Sequence, residues 1–415
     1  MKQKVLTLSQ ILKLASMMFL YYFSMGLITP ILTVYLTSNS YLGLSGPQAG
    51  FITSLQSIAV VVSPIIGTFL TDRLISAHKL FALLQFLAGL LLFYFPFIKD
   101  FHSALFAFAL YEILFVPGTA LSNAIAFHHL HTKADNFGVI RLWGTIGWIV
   151  AGIWGFIIGH FFASYNLHHT FVVCGICSII LAIFSYLFLG TYNEDSSREN
   201  QDRGSGLSLL KKIIPTDTFK FVLQKEILLI FIISIFIKLI DKYYYFGCCA
   251  YLSFYQVKTS SITAIMSIGQ ISEIICFLFL AKAISRFGYK RILFVGILSE
   301  FCRFLLLAFV PSVVGVFMAL PFHGISFVCF SGAAYIFINR GTTKSSRGGV
   351  QHLYALVTGV AGNFWGSLIP GLIVGSKPIE EFENYTLFWA VPMLLSLFSL
   401  ALLFLLKAKE ERQVV

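Results

Sequence analysis

The chain has 415 residues, of which 58% are hydrophobic and only 11% are charged, and its mean hydropathy is +0.85. A soluble domain carries about 25% charged residues, so this composition excludes an ordinary water-soluble protein and indicates an integral membrane protein. The formal charge of +11 would suit a nucleic-acid partner, but the basic residues collect in loops between apolar runs, and we predict no nucleic-acid binding.

Twelve apolar runs are long enough for helices that cross the lipid bilayer, which takes roughly 20 residues. Numbered as spans 1 to 12, they are 11–36, 48–70, 80–98, 103–126, 137–160, 170–190, 227–252, 260–281, 291–310, 313–338, 351–374 and 387–407. The loops are short except for a polar stretch, so we predict an N-terminal six-helix half (1–190), a cytoplasmic linker loop (191–226) and a C-terminal six-helix half (227–415). Span 1 is too long for a signal peptide and lacks a small-residue cleavage site after it, so we expect no cleavable signal.

The distribution of basic residues predicts the orientation of the spans. Of the 29 lysines and arginines, 22 fall in the termini and the loops of one face, three in the loops of the other face, and four within spans. Because loops rich in lysine and arginine stay in the cytoplasm, we predict a multi-pass protein of the inner membrane with both termini cytoplasmic.

The loop after span 2, "GTFLTDRLISAHK", contains Asp72 and Arg73 and is similar to the inner-loop signature of the major facilitator superfamily. The loop after span 8, "SRFGYKR", is a degenerate copy with Ser285 in place of the acid. The resemblance implies two six-helix halves that rock about a central site at mid-membrane. We expect Asp72 and Arg73 to act in gating; the alternative is a solvated charge pair without such a role.

Span 4 combines a carboxyl group, Glu112, with Pro117, which interrupts a helix because it lacks the backbone N–H. A bent, polar span fits a cavity wall, although Glu112 alone is ambiguous. The histidines that follow lack acidic neighbours other than Asp135, so we interpret them as part of an interfacial loop and predict no metal site; they are His128, His129 and His131. The seven cysteines all lie in apolar segments, and we interpret even the pair Cys174 and Cys177 as helix packing.

Span 5 carries Arg141, Thr145 and Trp148 at positions i, i+4 and i+7. This spacing places a forked cation, a hydroxyl and an aromatic ring on one face of a helix. We predict that the three line a polar substrate cavity. The alternative for Arg141 is a side chain that reaches the cytoplasmic interface along the span.

Span 7 holds Lys238, Asp241 and Lys242 within five positions of an apolar run. Ionisable residues inside spans are costly and mark functional sites. The i, i+3 spacing allows Lys238 and Asp241 to pair, which lowers the cost of burying both charges. We expect this pair to line the cavity, with Tyr244 as a stacking surface.

Spans 8 and 9 each carry a polar pair at i, i+3. Gln270 and Glu273 share one face of span 8, and a carboxyl group in a desolvated cavity can bind and release a proton near neutral pH. Glu273 is therefore the first candidate for the proton-coupling residue and Asp241 the second; the alternative for Glu273 is a static ion pair. In span 9 we favour a structural pair between Glu300 and Arg303.

The segments "FVPGTALSNAIAFHHL" and "GVIRLWGTIGWIVAG", followed by "QISE" at 270–273, "RFGYKRIL" and "FHGISF", resemble the nucleoside:proton symporter family of the major facilitator superfamily. The resemblance implies an all-α membrane protein with twelve transmembrane helices that moves nucleosides with protons. It also implies substrate contacts from spans 5, 7, 8 and 10. The matching positions are Arg141, Thr145, Gln270, Glu273 and the aromatic Phe327, and Trp148 substitutes for another aromatic residue.

Two positions depart from the family pattern. Lys238 and Asp241 stand where the family has amides in span 7, and Val328 stands where it has an acid in span 10. Amides and an acid suit hydrogen bonds to a neutral base and ribose, so these departures leave the substrate open.

We therefore predict a monomeric, proton-coupled carrier that imports nucleosides or a related small polar metabolite through the lipid bilayer by alternating access. The alternatives are a carrier of the same fold for a sugar, an anionic nucleotide-like metabolite or an exported compound, and the cations Lys238 and Lys242 would suit an anion. A lipid flippase is a less favoured class. We predict no enzyme activity and no cofactor, because the spans contain no set of a nucleophile and a base or of metal ligands.

Overall fold

A computed structural model describes residues 8–73, 75–130, 137–162, 166–190, 216–340, 342, 347–376 and 382–406. Each of the twelve predicted spans falls on helical structure. In the first six spans the helices are Leu8–Ile28, Leu32–Thr37, Gly46–Ser54, Gln56–Arg73, Ala77–Leu92, Phe101–Phe115, Pro117–Leu130, Phe137–Phe161 and Leu167–Phe188. In the last six they are Lys225–Phe254, Thr259–Met266, Ile268–Phe287, Tyr289–Phe309, Val313–Ser326, Ala333–Arg340, Arg347–Val374 and Tyr385–Phe404.

Ten of these segments are long and apolar enough to cross a membrane, within the part of the chain that the structure describes. The two further segments are span 2, whose helix is interrupted at Leu55, and span 7, a continuous helix of 30 residues that contains Lys238, Asp241 and Lys242. Span 7 thus forms a helix of membrane-crossing length in spite of its three charges.

The predicted linker lies mostly outside the described residues. Its last part forms the short helix Thr216–Val222, and the helix of span 7 begins at Lys225.

The chain forms two compact units. One comprises Met1–Leu44, Ile58–Arg203 and Lys258–Ala264, and the other Ser45–Ser57, Gly204–Val257 and Ile265–Val415. Each unit therefore consists mostly of six consecutive spans. It also includes a short segment from the other half of the sequence.

The same pattern of helix packing recurs in both units. In the first, span 1 packs on span 5 and span 3 packs on span 6. In the second, span 7 packs on span 11 and span 9 packs on span 12. Because each pair recurs six spans later, the two units have the internal repeat expected for a carrier built from two halves.

Several spans are broken where their sequence disfavours a regular helix. In span 4 one helix ends at Phe115 and the next begins at Pro117, which cannot donate a backbone hydrogen bond. In span 10 the residues Phe327–Gly332 form a π-helical turn, a feature that often occurs at functional sites.

Polar residues and glycine define the ends of spans. Asp100 caps span 4 and accepts hydrogen bonds from the backbone of His102 and Ser103; the bonds from Ser103, side chain and backbone, lower the pKa of its carboxyl group. Gly288 joins spans 8 and 9 with φ of +78°, a conformation that side chains other than glycine rarely adopt.

Candidate substrate and proton site

In the first unit, Arg141 lies over an aromatic ring of span 1. Its guanidinium carbon is 4.0 Å from the centroid of the Tyr22 ring, a cation–π contact. Gly144 allows this arrangement, because a Cβ atom there would come within 2.7 Å of both Arg141 Nη1 and Tyr22 Cδ2. Arg141 is therefore held by an aromatic partner while its side chain stays partly exposed.

Thr145 and Trp148 follow on the same helix and are both partly exposed. The Trp148 backbone packs closely on span 1, since a Cβ atom on Gly26 would lie 3.1 Å from Trp148 Cα and 3.3 Å from Cδ2 of its ring. Span 5 thus presents a cation, a hydroxyl and an indole that remain accessible, as a binding surface requires.

In the second unit, Lys238 and Asp241 form the predicted ion pair. Lys238 Nζ lies 3.2 Å from Asp241 Oδ2, and the exposed fractions of the side chains are 43% and 18%. Lys238 is therefore the more exposed partner of the pair, and Asp241 is the more buried one.

Asp241 also faces a histidine of span 10. Asp241 Oδ1 is 3.9 Å from Nδ1 of His323, whose Nδ1 in turn shares a hydrogen bond with Arg303 Nη1. Arg303 Nη2 meets Glu300 Oε2 at 2.7 Å in a buried ion pair. A continuous set of charged and polar groups, which we call the buried relay (Lys238, Asp241, His323, Arg303 and Glu300), therefore links spans 7, 9 and 10.

Two tyrosines of span 7 enclose this relay. The ring of Tyr244 stacks on His323, with centroids 5.5 Å apart and an interplanar angle of 25°, and carries the Arg303 guanidinium carbon 4.5 Å from its centroid. The ring of Tyr245 meets His323 edge-on at 6.0 Å. Tyr244 is only 2% exposed, so in this structure it supports the relay rather than offering a free stacking surface, which differs from the predicted role.

Span 8 contributes an amide and a carboxyl group next to these tyrosines. Gln270 Nε2 donates to the Tyr245 hydroxyl at 3.4 Å, while Gln270 Oε1 is buried without a hydrogen-bond partner in the described structure. Glu273, one turn further along, is partly exposed. An unused acceptor beside a partly exposed carboxyl group is suited to a polar ligand or a water molecule.

Lys242 points to a different partner. Its Nζ donates to Oε1 of Gln56 at 2.9 Å, and Gln56 belongs to the segment of span 2 that is grouped with the second unit. Both additional cations of span 7 are therefore engaged by protein groups.

The π-helical turn of span 10 contains the two remaining positions of interest. Phe327 is 37% exposed, and Val328 is fully buried. Phe327 is thus partly exposed, whereas Val328 lies in the core at the position where the family pattern has an acid.

The predicted gating residues lie at the end of the second helix of span 2, which closes at Arg73; the side chains of Asp72 and Arg73 are outside the described structure. His131 is also outside it, and the ring of His129 is hydrogen-bonded to the Ile125 carbonyl oxygen. Among the described residues, no group of three or more potential metal ligands occurs.

Sequence reasoning missed His323. It also treated Glu300 and Arg303 as a self-contained pair, whereas Arg303 additionally binds His323 and stacks on Tyr244. A signal for His323 was present, because a histidine within an apolar span is an ionisable group that calls for a partner.

The whole sequence is similar to known transport proteins. A family described as "Nucleoside H+ symporter" matches residues 8–413. The putative nucleoside transporter YegT of Escherichia coli (strain K12) is 28% identical over 372 residues, which cover 87% of this chain and 84% of that protein. Xanthosine permease from the same organism is 23% identical and is aligned over 92% of this chain and 91% of its own length.

Solved structures show the same fold. The crystal structure of a mutant of the nucleoside transporter NupG superposes with a TM-score of 0.82 at 22% sequence identity, and the match covers 96% of this chain and 100% of that one. The structure of the POT family transporter PepTSo gives a TM-score of 0.71 at 13% identity, and the match covers 98% of this chain and 99% of that one. The fold class is thus the predicted major facilitator fold, and the family match over nearly the whole sequence shows that the chain belongs to the nucleoside H+ symporter family.

Proposed function

We propose that this protein imports nucleosides together with protons across the inner membrane by alternating access, as a monomer with both termini in the cytoplasm. The observation that carries the proposal is the match of the nucleoside H+ symporter family along residues 8–413. The names of relatives such as YegT and xanthosine permease agree with this substrate class.

In this proposal, the substrate contacts come from polar and aromatic side chains of spans 5, 8 and 10. Arg141, Thr145 and Trp148 act from span 5, and the amide of Gln270 and the ring of Phe327 act from spans 8 and 10. Lys238 and Asp241 replace the amides of the family at the edge of the relay, and Tyr244 acts by holding His323 and Arg303 in place. Glu273 and Asp241 are the proposed proton-coupling carboxyl groups, and Asp72 and Arg73 the proposed gating pair.

The ion pair of span 7 favours a neutral substrate over an anion. The charge of Lys238 is balanced by Asp241, so an anionic metabolite would have to break that pair to use this cation. A nucleoside, which is neutral and has a planar base and a polar ribose, can use the aromatic rings and the hydrogen-bonding groups of the site.

A thermal-shift screen of the purified protein against nucleosides, nucleotides and sugars would test the substrate class. We expect stabilisation by at least one nucleoside, because a ligand that binds only the folded state raises the apparent stability. Stabilisation by a sugar or nucleotide alone, with none by any nucleoside, would refute the proposed substrate.

Uptake into proteoliposomes would test proton coupling. We expect uptake of a radiolabelled nucleoside to rise when the outside is made more acidic than the lumen, and to lose this dependence in the variant Glu273→Gln, whose side chain cannot bind a proton. Undiminished gradient dependence in that variant would remove Glu273 from the proton pathway.

A further inference from the structure

One nitrogen of the His323 imidazole, Nδ1, has two competing partners. It is hydrogen-bonded to Arg303 Nη1 and lies 3.9 Å from Asp241 Oδ1. The ring is nearly buried, and it is held by the stacked ring of Tyr244 and by the edge of Tyr245. On span 8 it faces Gly269, where a Cβ atom would approach His323 Cδ2 to 2.8 Å, so the ring has little freedom to turn.

The bond to Arg303 determines the state of the imidazole in this structure. A guanidinium group is a donor only, so Nδ1 of His323 must be the acceptor and carries no proton. The ring is therefore neutral, with its hydrogen on Nε2. In that state Nδ1 cannot donate to Asp241, which agrees with their separation of 3.9 Å.

Protonation would reverse this choice of partner. When a proton adds to the lone pair of Nδ1, the ring becomes an imidazolium with an N–H at both nitrogens, and the hydrogen bond from Arg303 has no acceptor left. The new N–H can donate to Asp241 Oδ1 after an approach of about 1 Å, given the usual length of such bonds. The bond to Arg303 and the bond to Asp241 are therefore mutually exclusive.

We propose that His323 is a proton-dependent switch of the carrier, which accepts from Arg303 when neutral and donates to Asp241 when protonated. The proposal rests on the proposed function, since it supplies a proton-linked step to the transport cycle. The charged groups that act on His323 are Arg303, Asp241 and Lys238. Glu300 is held by Arg303, and from span 8 the ring is faced by Gly269, which has no charge.

The charge balance of the relay indicates which side chain would move when His323 is protonated. With a neutral imidazole, the pairs of Lys238 with Asp241 and of Arg303 with Glu300 leave no net formal charge. The added proton leaves one positive charge in excess, which is costly in a buried site. Lys238, whose side chain is 43% exposed, is the cation that can leave for water when Asp241 turns to the imidazolium, whereas Arg303 is fully buried.

The first test uses the purified protein without substrate. Nuclear magnetic resonance of protein labelled with ¹⁵N-histidine distinguishes the two neutral tautomers of an imidazole, and the chain has ten histidines. The signal of His323 is the one missing in His323→Asn or, if that variant does not fold, the one shifted in Arg303→Lys. We expect the Nε2–H tautomer at alkaline pH; the Nδ1–H tautomer would overturn the proposal.

The second test separates proton coupling from translocation in proteoliposomes. In His323→Asn the side-chain oxygen can still accept from Arg303 but does not titrate. We expect it to keep nucleoside exchange within about threefold of the wild type. We also expect it to lose the accumulation of nucleoside in the lumen. In the wild type, coupling to one proton across a gradient of one pH unit allows a concentration ratio of about tenfold. Accumulation at the wild-type level would overturn the proposal, and the exposed His102→Asn is the control that should retain it.

The two tests keep this inference distinct from the proposed function. If the wild-type protein accumulates no nucleoside under any proton gradient, the proposed function fails. The tautomer of His323 would still show whether Nδ1 accepts the hydrogen bond from Arg303.

Discussion

At the scale of single residues, the candidate site depends on side chains that other residues hold in place. Arg141 keeps its orientation because Gly144 leaves space for the guanidinium group on the ring of Tyr22. In the same way, Arg303 is fixed by Glu300, His323 and Tyr244 together. The function of a charged residue in a span is thus inseparable from its neighbours.

The variant Gly144→Ala tests the support of Arg141. The added Cβ would come within 2.7 Å of Arg141 Nη1 and Tyr22 Cδ2, so we expect a loss of about 1–3 kcal/mol of stability through overpacking and weaker substrate binding. Thermal unfolding and nucleoside-induced thermal shifts measure the two effects.

Gly138→Ala is the matched control in the same helix, because nothing lies within 4 Å of a Cβ atom there. We expect it to bind substrate like the wild type. Equal behaviour of the two variants would mean that the Arg141–Tyr22 stack does not matter for binding.

The variant Arg303→Ala tests the buried ion pair. Arg303 and Glu300 are 0% and 3% exposed, and removal of one partner leaves the other charge buried alone, so we expect a loss of about 3–5 kcal/mol. Thermal unfolding in detergent is the measurement, with the exposed Lys282→Ala as the control that should change little.

The double variant Glu300→Leu with Arg303→Met should recover most of this loss, because it leaves no unpaired charge. A double variant as unstable as Arg303→Ala would contradict this account and assign the cost to the contacts of Arg303 with Tyr244 and His323.

At the scale of helices, the sequence predicted the regular features well. Span positions follow from hydropathy because the cost of burying polar backbone and side chains in lipid is large, and each predicted span coincides with helix. The pairs of Lys238 with Asp241 and of Glu300 with Arg303 also follow from spacing, since residues at i and i+3 face each other on any helix.

Contacts between helices were not predictable in the same way. Spacing within one helix says nothing about which neighbour it meets, so the bond of Lys242 to Gln56 and that of Arg303 to His323 appear only in the structure. The π-helical turn at Phe327–Gly332 also has no clear pattern in the sequence, although "FHGISF" lies next to it. The roles of the candidate site residues in transport remain predictions.

The π-helical turn rests on a glycine of span 9, which permits a test at this scale. A Cβ atom on Gly296 would lie 2.5 Å from Phe330 N and 2.8 Å from the carbonyl carbon of Cys329. Because backbone atoms cannot move aside locally, we expect Gly296→Ala to lower the unfolding temperature and to impair uptake by displacing Phe327.

Gly332→Ala, within the turn itself, is the comparison. There a Cβ atom would meet only flexible side chains, the nearer being Leu280 Cδ2 at 3.3 Å, and we expect a smaller effect. A larger loss in Gly332→Ala than in Gly296→Ala would show that the turn does not depend on the contact with span 9.

At the scale of the whole molecule, the proposed orientation follows from the excess of basic residues on one face. Lys99 and Ser285 are exposed residues in loops predicted to lie on opposite faces. We expect Lys99→Cys to react with a membrane-impermeant maleimide in intact cells, and Ser285→Cys to react only after permeabilisation.

The seven native cysteines lie in the spans, and three of them are fully buried, so the unmodified chain provides the background level of labelling. Labelling of Ser285→Cys in intact cells, with none of Lys99→Cys, would show that the protein has the opposite orientation.

The composition of the two units has a consequence for biosynthesis. The first unit includes Lys258–Ala264, where Thr263 Oγ1 donates to the Gly152 carbonyl oxygen at 3.4 Å. Domains generally fold as they emerge from the ribosome, N-terminal part first, yet this unit lacks one of its segments until residue 264 has been synthesised. The first six spans should therefore be inserted in the membrane but incompletely packed at first. Their final packing should follow the translation of span 8.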